Sequence, residues 1–423
     1  MIRREKSQFK KIALLGIGSV LFVVSCVEEF TTETQLERFE SILVVDALLT
    51  DEMSNHRVVL SRVFQFEEDM PNPEERAQIT VVDDTGAQYV FNEAEPGVYH
   101  SQNQFSAMQG RNYTLLITTA EGRNYRSDAT LTPNRVPITN LRAERITNDL
   151  DEEGVGIYLD NSAPNNTPSY FRYEYEETYK IIAPRWDPFE MEVVHYIACD
   201  TVPYQVDIRP RTEEQRTCFA SSQSTEIIQA STADLEGSTI ENKRIRYLSR
   251  DNYIISHRYS LNVKQFSQTQ EAYLFYERLQ EFSSSENLFS QVQPGLLEGN
   301  VFSETSSEEK VLGYFEVASV STERMYFNYA DLFPGESLPP YAVNCSSTGN
   351  PELYTEGYGC LSFRNCDMYS CESPLIEEIL AGLITFAGEN KENENQPYFT
   401  WPSPCGDCTK LGSNVVPEFW SEE

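Results

Sequence analysis

Nine cysteines carry most of the chemistry this sequence could perform. The first, Cys26, follows an apolar run from Ile12 to Val24 that is preceded by Arg3, Arg4, Lys6, Lys10 and Lys11. A basic head, a short apolar stretch and small residues before a cysteine form the pattern of a lipoprotein signal, and Val23-Val24-Ser25-Cys26 fits its cleavage motif. The run is shorter than the roughly 20 apolar residues a spanning helix needs. Residues 1–25 therefore read as a signal peptide. Cys26 reads as the acylated first residue, held in the membrane at about 0.8 kcal/mol per buried CH₂. The expectation is a lipid anchor, not a span.

Eight further cysteines, Cys199, Cys218, Cys345, Cys360, Cys366, Cys371, Cys405 and Cys408, are an even set in an exported chain. That points to as many as four disulfides. Eight cysteines allow 105 pairings, so sequence leaves the connectivity open. A local bridge from Cys199 to Cys218 is the simplest expectation, and the other six should staple a loop-rich C-terminal region. Each closed loop would stabilise by about 2–4 kcal/mol. Cys405-Gly-Asp-Cys408 has the spacing of thiol–disulfide oxidoreductases, which set it at a helix N-terminus after a strand. Here Pro402 and Pro404 precede it and a loop-like Thr409-Lys-Leu-Gly follows, so structural disulfides are expected. Zinc at these cysteines is disfavoured outside the cytoplasm.

Other constellations carry less. His56, His100, His195 and His257 lie far apart, without a His-x-x-x-His pair, and no metal or cofactor is expected. His195 and His257 read as core or lining imidazoles; joined to a serine or carboxylate in a cleft, either would suggest a hydrolase. Neither a Gly-x-Ser-x-Gly elbow nor a phosphate-binding loop occurs, so the expectation is a non-enzyme. Asp149-Leu-Asp-Glu-Glu153 reads as a solvated acidic loop, because it lacks the glycine of a calcium loop. Tyrosines and phenylalanines could stack on sugars or peptides, but in alternating strands they read first as core.

The elements that must position these residues are mostly strands. The 423 residues include 24 Tyr, 23 Phe and only 3 Trp, and 40% are hydrophobic. Such a chain can bury large cores, and aromatic and β-branched residues favour strands. A formal charge of −33 excludes non-specific binding to phosphate backbones, so no nucleic-acid partner is expected. Residues 26–40 read as an acidic tether and 41–134 as an immunoglobulin-like or transthyretin-like β-sandwich, with hairpins at 78–91 and 113–127. Pro133 and Pro137 mark a boundary. Residues 138–423 read as a larger β-rich domain with one or two helices and a disulfide-held, Cys-rich C-terminal region from about 340. Strands are expected at 170–179, 191–197, 253–260 and 311–320. A helix is expected at about 268–283, capped by Ser267 and burying Ala272, Phe275, Tyr276, Leu279 and Phe282.

Four pieces in order resemble one family. They are Ile42-Leu-Val-Val-Asp-Ala-Leu-Leu-Thr50, Gly97-Val-Tyr99, Gly299-Asn-Val301 with Val311-Leu-Gly-Tyr-Phe315, and Cys405-Gly-Asp-Cys408 with Pro417-Glu-Phe-Trp420. Together with the lipidation motif they resemble the Bacteroidota lipoproteins of the domain of unknown function 4249. Glu28-Glu29 behind Cys26 resembles the acidic surface-export signal of such lipoproteins, and Asp200-Thr201-Val202 looks like their O-glycosylation acceptor. The resemblance implies an outer-membrane lipoprotein facing the extracellular side and supplies no catalytic residue. It implies a partner, a TonB-dependent receptor, for which the chain would be an accessory binding or interaction protein in nutrient uptake. A free-standing surface glycan- or peptide-binding lipoprotein is the alternative.

Overall fold

The computed structural model describes residues 42–63, 72–163, 169–197, 204–233, 235, 237–284, 297, 299–354 and 372–422. Cys26, Cys199, Cys360, Cys366, Cys371, the signal, the tether and the Asp200-Thr201-Val202 triplet lie outside the described residues. The fold is mainly β, 49% strand and 11% helix. Among the described residues, no helix is long and apolar enough to cross a membrane.

The N-terminal strands are β1 (Leu43–Thr50), β2 (Arg57–Arg62), β3 (Asn72–Pro73), β4 (Gln78–Asp83), β5 (Gln88–Glu95), β6 (Val98–Ser101), β7 (Asn112–Thr118), β8 (Asn124–Ser127) and β9 (Thr130–Leu131). In β4 and β7 strict alternation puts Ile79, Val81, Tyr113, Leu115 and Ile117 inside. The β4–β5 turn is set by Asp83, whose Oδ1 accepts from the Thr85 and Ala87 amides, at 2.9 and 3.0 Å. Gly86 there takes φ +87°, which the turn needs. Tyr99 is fully buried, and its hydroxyl donates to the Glu74 carbonyl at 2.7 Å while accepting from the Ala77 amide at 3.0 Å.

The central strands are β10 (Ile138–Thr147), β11 (Glu153–Ser162), β12 (Tyr170–Ile182), β13 (Phe189–His195), β14 (Gln205–Pro210), β15 (Thr217–Gln223), β16 (Ile228–Ser231), β17 (Thr239–Ser249) and β18 (Arg258–Gln268). Then come β19 (Val301–Ser303) and the long β20 (Val311–Asn328). The sheet β10-β11-β17 lays Val155, Ile157, Leu159 and Leu248 against Phe171, Tyr173, Tyr259 and Leu261 of β12 and β18, giving a second, sandwich-like core. The Pro133–Pro137 segment is pinned: Gln265 Nε2 and Ser321 Oγ both donate to the Val136 carbonyl at 2.7 Å.

Both halves share β20. Its first half pairs in parallel with β1, Leu43 opposite Val311 through Thr50 opposite Ala318. Its second half pairs antiparallel with β18, Ser319 opposite Ser267 through Asn328 opposite Arg258. β19 pairs with β8, so segments from beyond residue 298 complete the layer begun by residues 43–131. Gly313 on β20 has φ +92°, and a Cβ there would lie 1.9 Å from the Val45 carbonyl oxygen. A Cβ on Gly299 would lie 1.5 Å from the Gly313 carbonyl oxygen. Between them Asn300 accepts from the Phe315 amide at 2.8 Å and donates to its carbonyl at 2.9 Å. Two of the four family-like pieces thus meet at one seam.

Among the described residues the one long helix, α1, spans Gln270–Ser284. Ser267 belongs to β18 and Thr269 caps the helix, its Oγ1 accepting from the Ala272 amide at 3.2 Å. Ala272 and Phe275 are buried, but Phe282 in the last turn is 41% exposed. Tyr253–Ile255 form a 3-10 turn capped by Asn252, so the strand expected from 253 begins only at Arg258. The polar stretch 200–240 contains β14, β15 and β16.

Past residue 340, a short helix α2 (Tyr329–Leu332) has already ended β20, and helix α3 (Pro374–Leu380) packs Leu375 and Ile376 with Tyr204 and Val206. Strands β21 (Ile384–Glu389) and β22 (Tyr398–Pro402) lead into helix α4 (Ser403–Gly406). The cysteines of Cys405-Gly-Asp-Cys408 each bond elsewhere, Cys405 to Cys345 and Cys408 to Cys218. The expected Cys199–Cys218 bridge is therefore corrected: Cys218 on β15 joins a residue 190 positions away. Sequence nearness misled because β15 lies beside the chain's end, where the Phe219 amide donates to the Ser413 carbonyl at 2.8 Å. Beyond it, Trp420 meets Phe219 edge-on at 4.8 Å and Arg324 covers the Phe419 ring at 3.6 Å.

Two outcomes follow from the seam and the bridges. Gly313→Ala should cost at least about 2 kcal/mol in chemical denaturation, from left-handed strain and overpacking together, while Gly86→Ala, which faces open space, should cost less. Equal costs would remove the close-approach argument. Peptide mapping without reductant should link Cys218 to Cys408 and Cys345 to Cys405, and Cys408→Ser should cost about 2–5 kcal/mol.

Candidate binding groove

The sequence-nominated groups are mostly engaged in structure. His56 is 5% exposed and its Nε2 lies 2.8 Å from the Phe105 carbonyl. Burial holds its pKa below the ordinary imidazole value, as it does for His257, where Lys180 adds repulsion. His195 sits on β13 opposite Gln205. The Asp149–Glu153 stretch is a turn: Asn148 Oδ1 accepts from the Leu150 and Glu152 amides at 2.9 Å, and Glu153 is taken by Arg145 and by Arg250, the latter at 2.9 Å. Glu309 accepts from Tyr125 at 2.6 Å and Ser303 at 2.8 Å, and its pKa lies below the ordinary carboxylate value through these bonds, against its partial burial. Among the described residues, no group of three His, Cys, Asp or Glu side chains could hold a metal ion.

What sequence did not nominate is a groove beside the seam. Helix α1, the segment Asp128–Pro133, Gly299, Tyr170 of β12 and Tyr314 of β20 enclose about 750 Å³, within the range of small-molecule sites. Its walls mix rings with polar groups. Phe275 lies 4.9 Å from Tyr314, and Tyr170 lies 5.3 Å from Tyr273. Asp128, Glu271 and Arg278 supply charges of both signs. Burial pushes the Tyr314 phenol up to about 12, so it stays a neutral donor and acceptor at physiological pH. The helix supplies one wall because residues 271, 274, 275 and 278 share a face at helical spacing.

Beneath the groove lies a buried charge network. Arg172 of β12 reaches Glu316 of β20 at 3.0 Å, and Glu316 is fully buried. The guanidinium also contacts the Glu174 carboxylate and lies between the rings of Phe266 and Tyr276, at 4.3 and 4.8 Å. Gln268 donates to the other Glu316 oxygen at 2.7 Å, and its own Oε1 has no partner although it lines the groove. Gln268 is thus shared by the groove lining and the buried network. No spacing rule joins residues 172, 268 and 316; only strand pairing does.

Arg172→Met should cost about 3–5 kcal/mol in denaturation, because it leaves Glu316 buried and uncompensated. The double variant Arg172→Met/Glu316→Leu should cost clearly less; an equal or larger cost would show that the pair is not what matters. Stability should also fall as pH drops below about 6.5 towards the lowered folded value of His56, since the unfolded state then binds the proton first. His56→Gln should flatten that decline between pH 7 and 5.5.

No curated protein matches the chain. Among solved structures it is similar to a DUF4785 family protein from Legionella pneumophila, at 10% identity and a TM-score of 0.17. The match covers 53% of this chain and 52% of that one, so the chain spans about half the length of that relative. A score that low carries no argument about fold or function. The family described as Domain of unknown function (DUF4249) matches residues 27–324, which include β1 to β18, α1, β19 and the seam. The order of motifs and this match lead to one conclusion: the chain belongs to the DUF4249 family.

Proposed function

We propose that this is a lipid-anchored outer-membrane protein facing the extracellular side. In this reading it binds a ligand in the α1 groove as the non-enzymatic accessory of a TonB-dependent transporter in nutrient uptake. The groove carries the reading: about 750 Å³ lined by aromatic rings, amides and charges of both signs suits recognition of a polar solute. The lipidation motif at Cys26 and the acidic pair behind it support the location. The transporter partnership rests on the family resemblance.

Tyr170, Phe275 and Tyr314 also favour a second reading, a free-standing surface glycan- or peptide-binding lipoprotein, because rings stack on sugar faces and peptide side chains. Purification of the native protein in mild detergent, with mass spectrometry of co-eluting chains, separates the two. A stoichiometric TonB-dependent receptor supports the first; the protein eluting alone supports the second and makes glycan and peptide arrays decisive. Cys26→Ser should move the protein out of the membrane fraction, and retention there would overturn the anchor.

A further inference from the structure

The charges on the walls of the α1 groove are ordered along it. Glu271 and Arg278 both line it from the helix. Seven residues make almost two turns, so the two share a face and stand about 10 Å apart along the axis. Leu274 and Phe275 lie between them and also line the groove. Leu274 is 36% exposed, and Leu131 on the Asp128–Pro133 wall is 45% exposed. Among the described residues, Asp128, Glu271 and Arg278 have no ion-pair partner.

The Glu271 end is rich in acceptors. Burial first, and then Glu271, Glu316 and Asp128, push the Tyr314 phenol up against a hydrogen bond with Thr269, so both groove carboxylates lie close to one hydroxyl. Gln268, which precedes the helix, is 4% exposed and lines the same groove. Its Nε2 is spent on Glu316 at 2.7 Å, while its Oε1 has no partner. Glu271 in the first turn also complements the helix dipole, a use that Asp128 and the Gln268 oxygen do not share.

We propose that the groove binds a peptide of about three residues with free termini, its ammonium among Asp128, Glu271 and Gln268 Oε1 and its carboxylate on Arg278. This rests on the groove reading above and names the ligand class. An extended chain spans about 3.3–3.6 Å per residue, so about three residues bridge the two ends. A single amino acid carries both charges on one carbon and cannot reach both ends. A neutral sugar would leave all three charges unpaired. The ammonium has a donor for each of the three acceptors, and the arginine fork matches a carboxylate. Leu131, Leu274 and Phe275 favour an apolar side chain in the middle.

The experiment is isothermal titration calorimetry of the full-length protein with the peptide Ala-Leu-Ala. The free peptide should bind, and N-acetylation or C-terminal amidation should each weaken it about tenfold, the worth of one charge-assisted hydrogen bond. Arg278→Gln should weaken the free peptide by a similar factor and leave binding of the amide unchanged. Glu271→Gln should behave likewise towards the acetylated form. Both positions are exposed, so neither variant disturbs the core. Equal binding of the free and doubly blocked peptides, or no binding of the free one, overturns the proposal. Maltotriose binding that Leu274→Arg abolishes, without peptide binding, overturns the peptide and keeps the groove. Failure of both probes overturns the peptide and counts against the groove as well.

Discussion

The seam between β1, β20 and the Gly299–Val301 segment is the contact on which the rest of this structure depends. Two backbones approach so closely that Cβ atoms on Gly299 and Gly313 would stand 1.5 and 1.9 Å from carbonyl oxygens. Where the ladder cannot continue, Asn300 satisfies both the amide and the carbonyl of Phe315 with its own side chain. Buried backbone groups left unpaired would cost comparably to lost hydrogen bonds, so the asparagine is needed as much as the glycines. Because β20 leaves this seam to pair with β18, it ties the first layer to the second core in one hydrogen-bonded strand.

That tie explains where the grooves are. Helix α1 follows β18 directly, and it lies against Tyr314, two residues from Glu316. One face of the helix meets the first layer at the segment Asp128–Pro133, and the other meets β16 and β17 of the second core. A helix between two layers leaves a cleft on either side, because its curved surface cannot fill the corners against flat sheets. The Arg172–Glu316–Gln268 network lies below that junction. Buried charge there is tolerated because each carboxylate oxygen has a donor and the guanidinium is flanked by two rings.

Part of the chain's acidic complement is put to structural use in the described residues. Asp83 organises a hairpin turn, Glu153 bridges two arginines, Glu309 accepts from a tyrosine and a serine, and Glu177 accepts from Tyr259 at 2.7 Å. Hydrogen bonds hold the pKa of Asp83, Glu153 and Glu309 below the ordinary carboxylate value, so these three are poor proton shuttles at neutral pH. The pairs of adjacent acids in the sequence therefore say little about chemistry.

Local grammar was legible in the residues themselves. The hairpins at 78–91 and 113–127, the strands at 170–179 and 311–320, and the helix near 270 follow from alternation, turn residues and helical period. These signals are carried by neighbours in sequence, so they survive without knowledge of the fold. Alternation assigns a side chain to a face but does not name the strand opposite. For that reason the parallel β1–β20 pairing, the Cys218–Cys408 bridge across 190 residues and the Arg172–Glu316 pair belonged to tertiary structure alone. The same holds for the groove, whose walls come from segments more than a hundred residues apart. The sequence determined most of the strands and buried faces, the turn at Tyr253–Ile255 and the exposed Phe282 excepted. Only the packing of distant strands, driven by apolar faces that any of several partners could cover, decided which of them would meet.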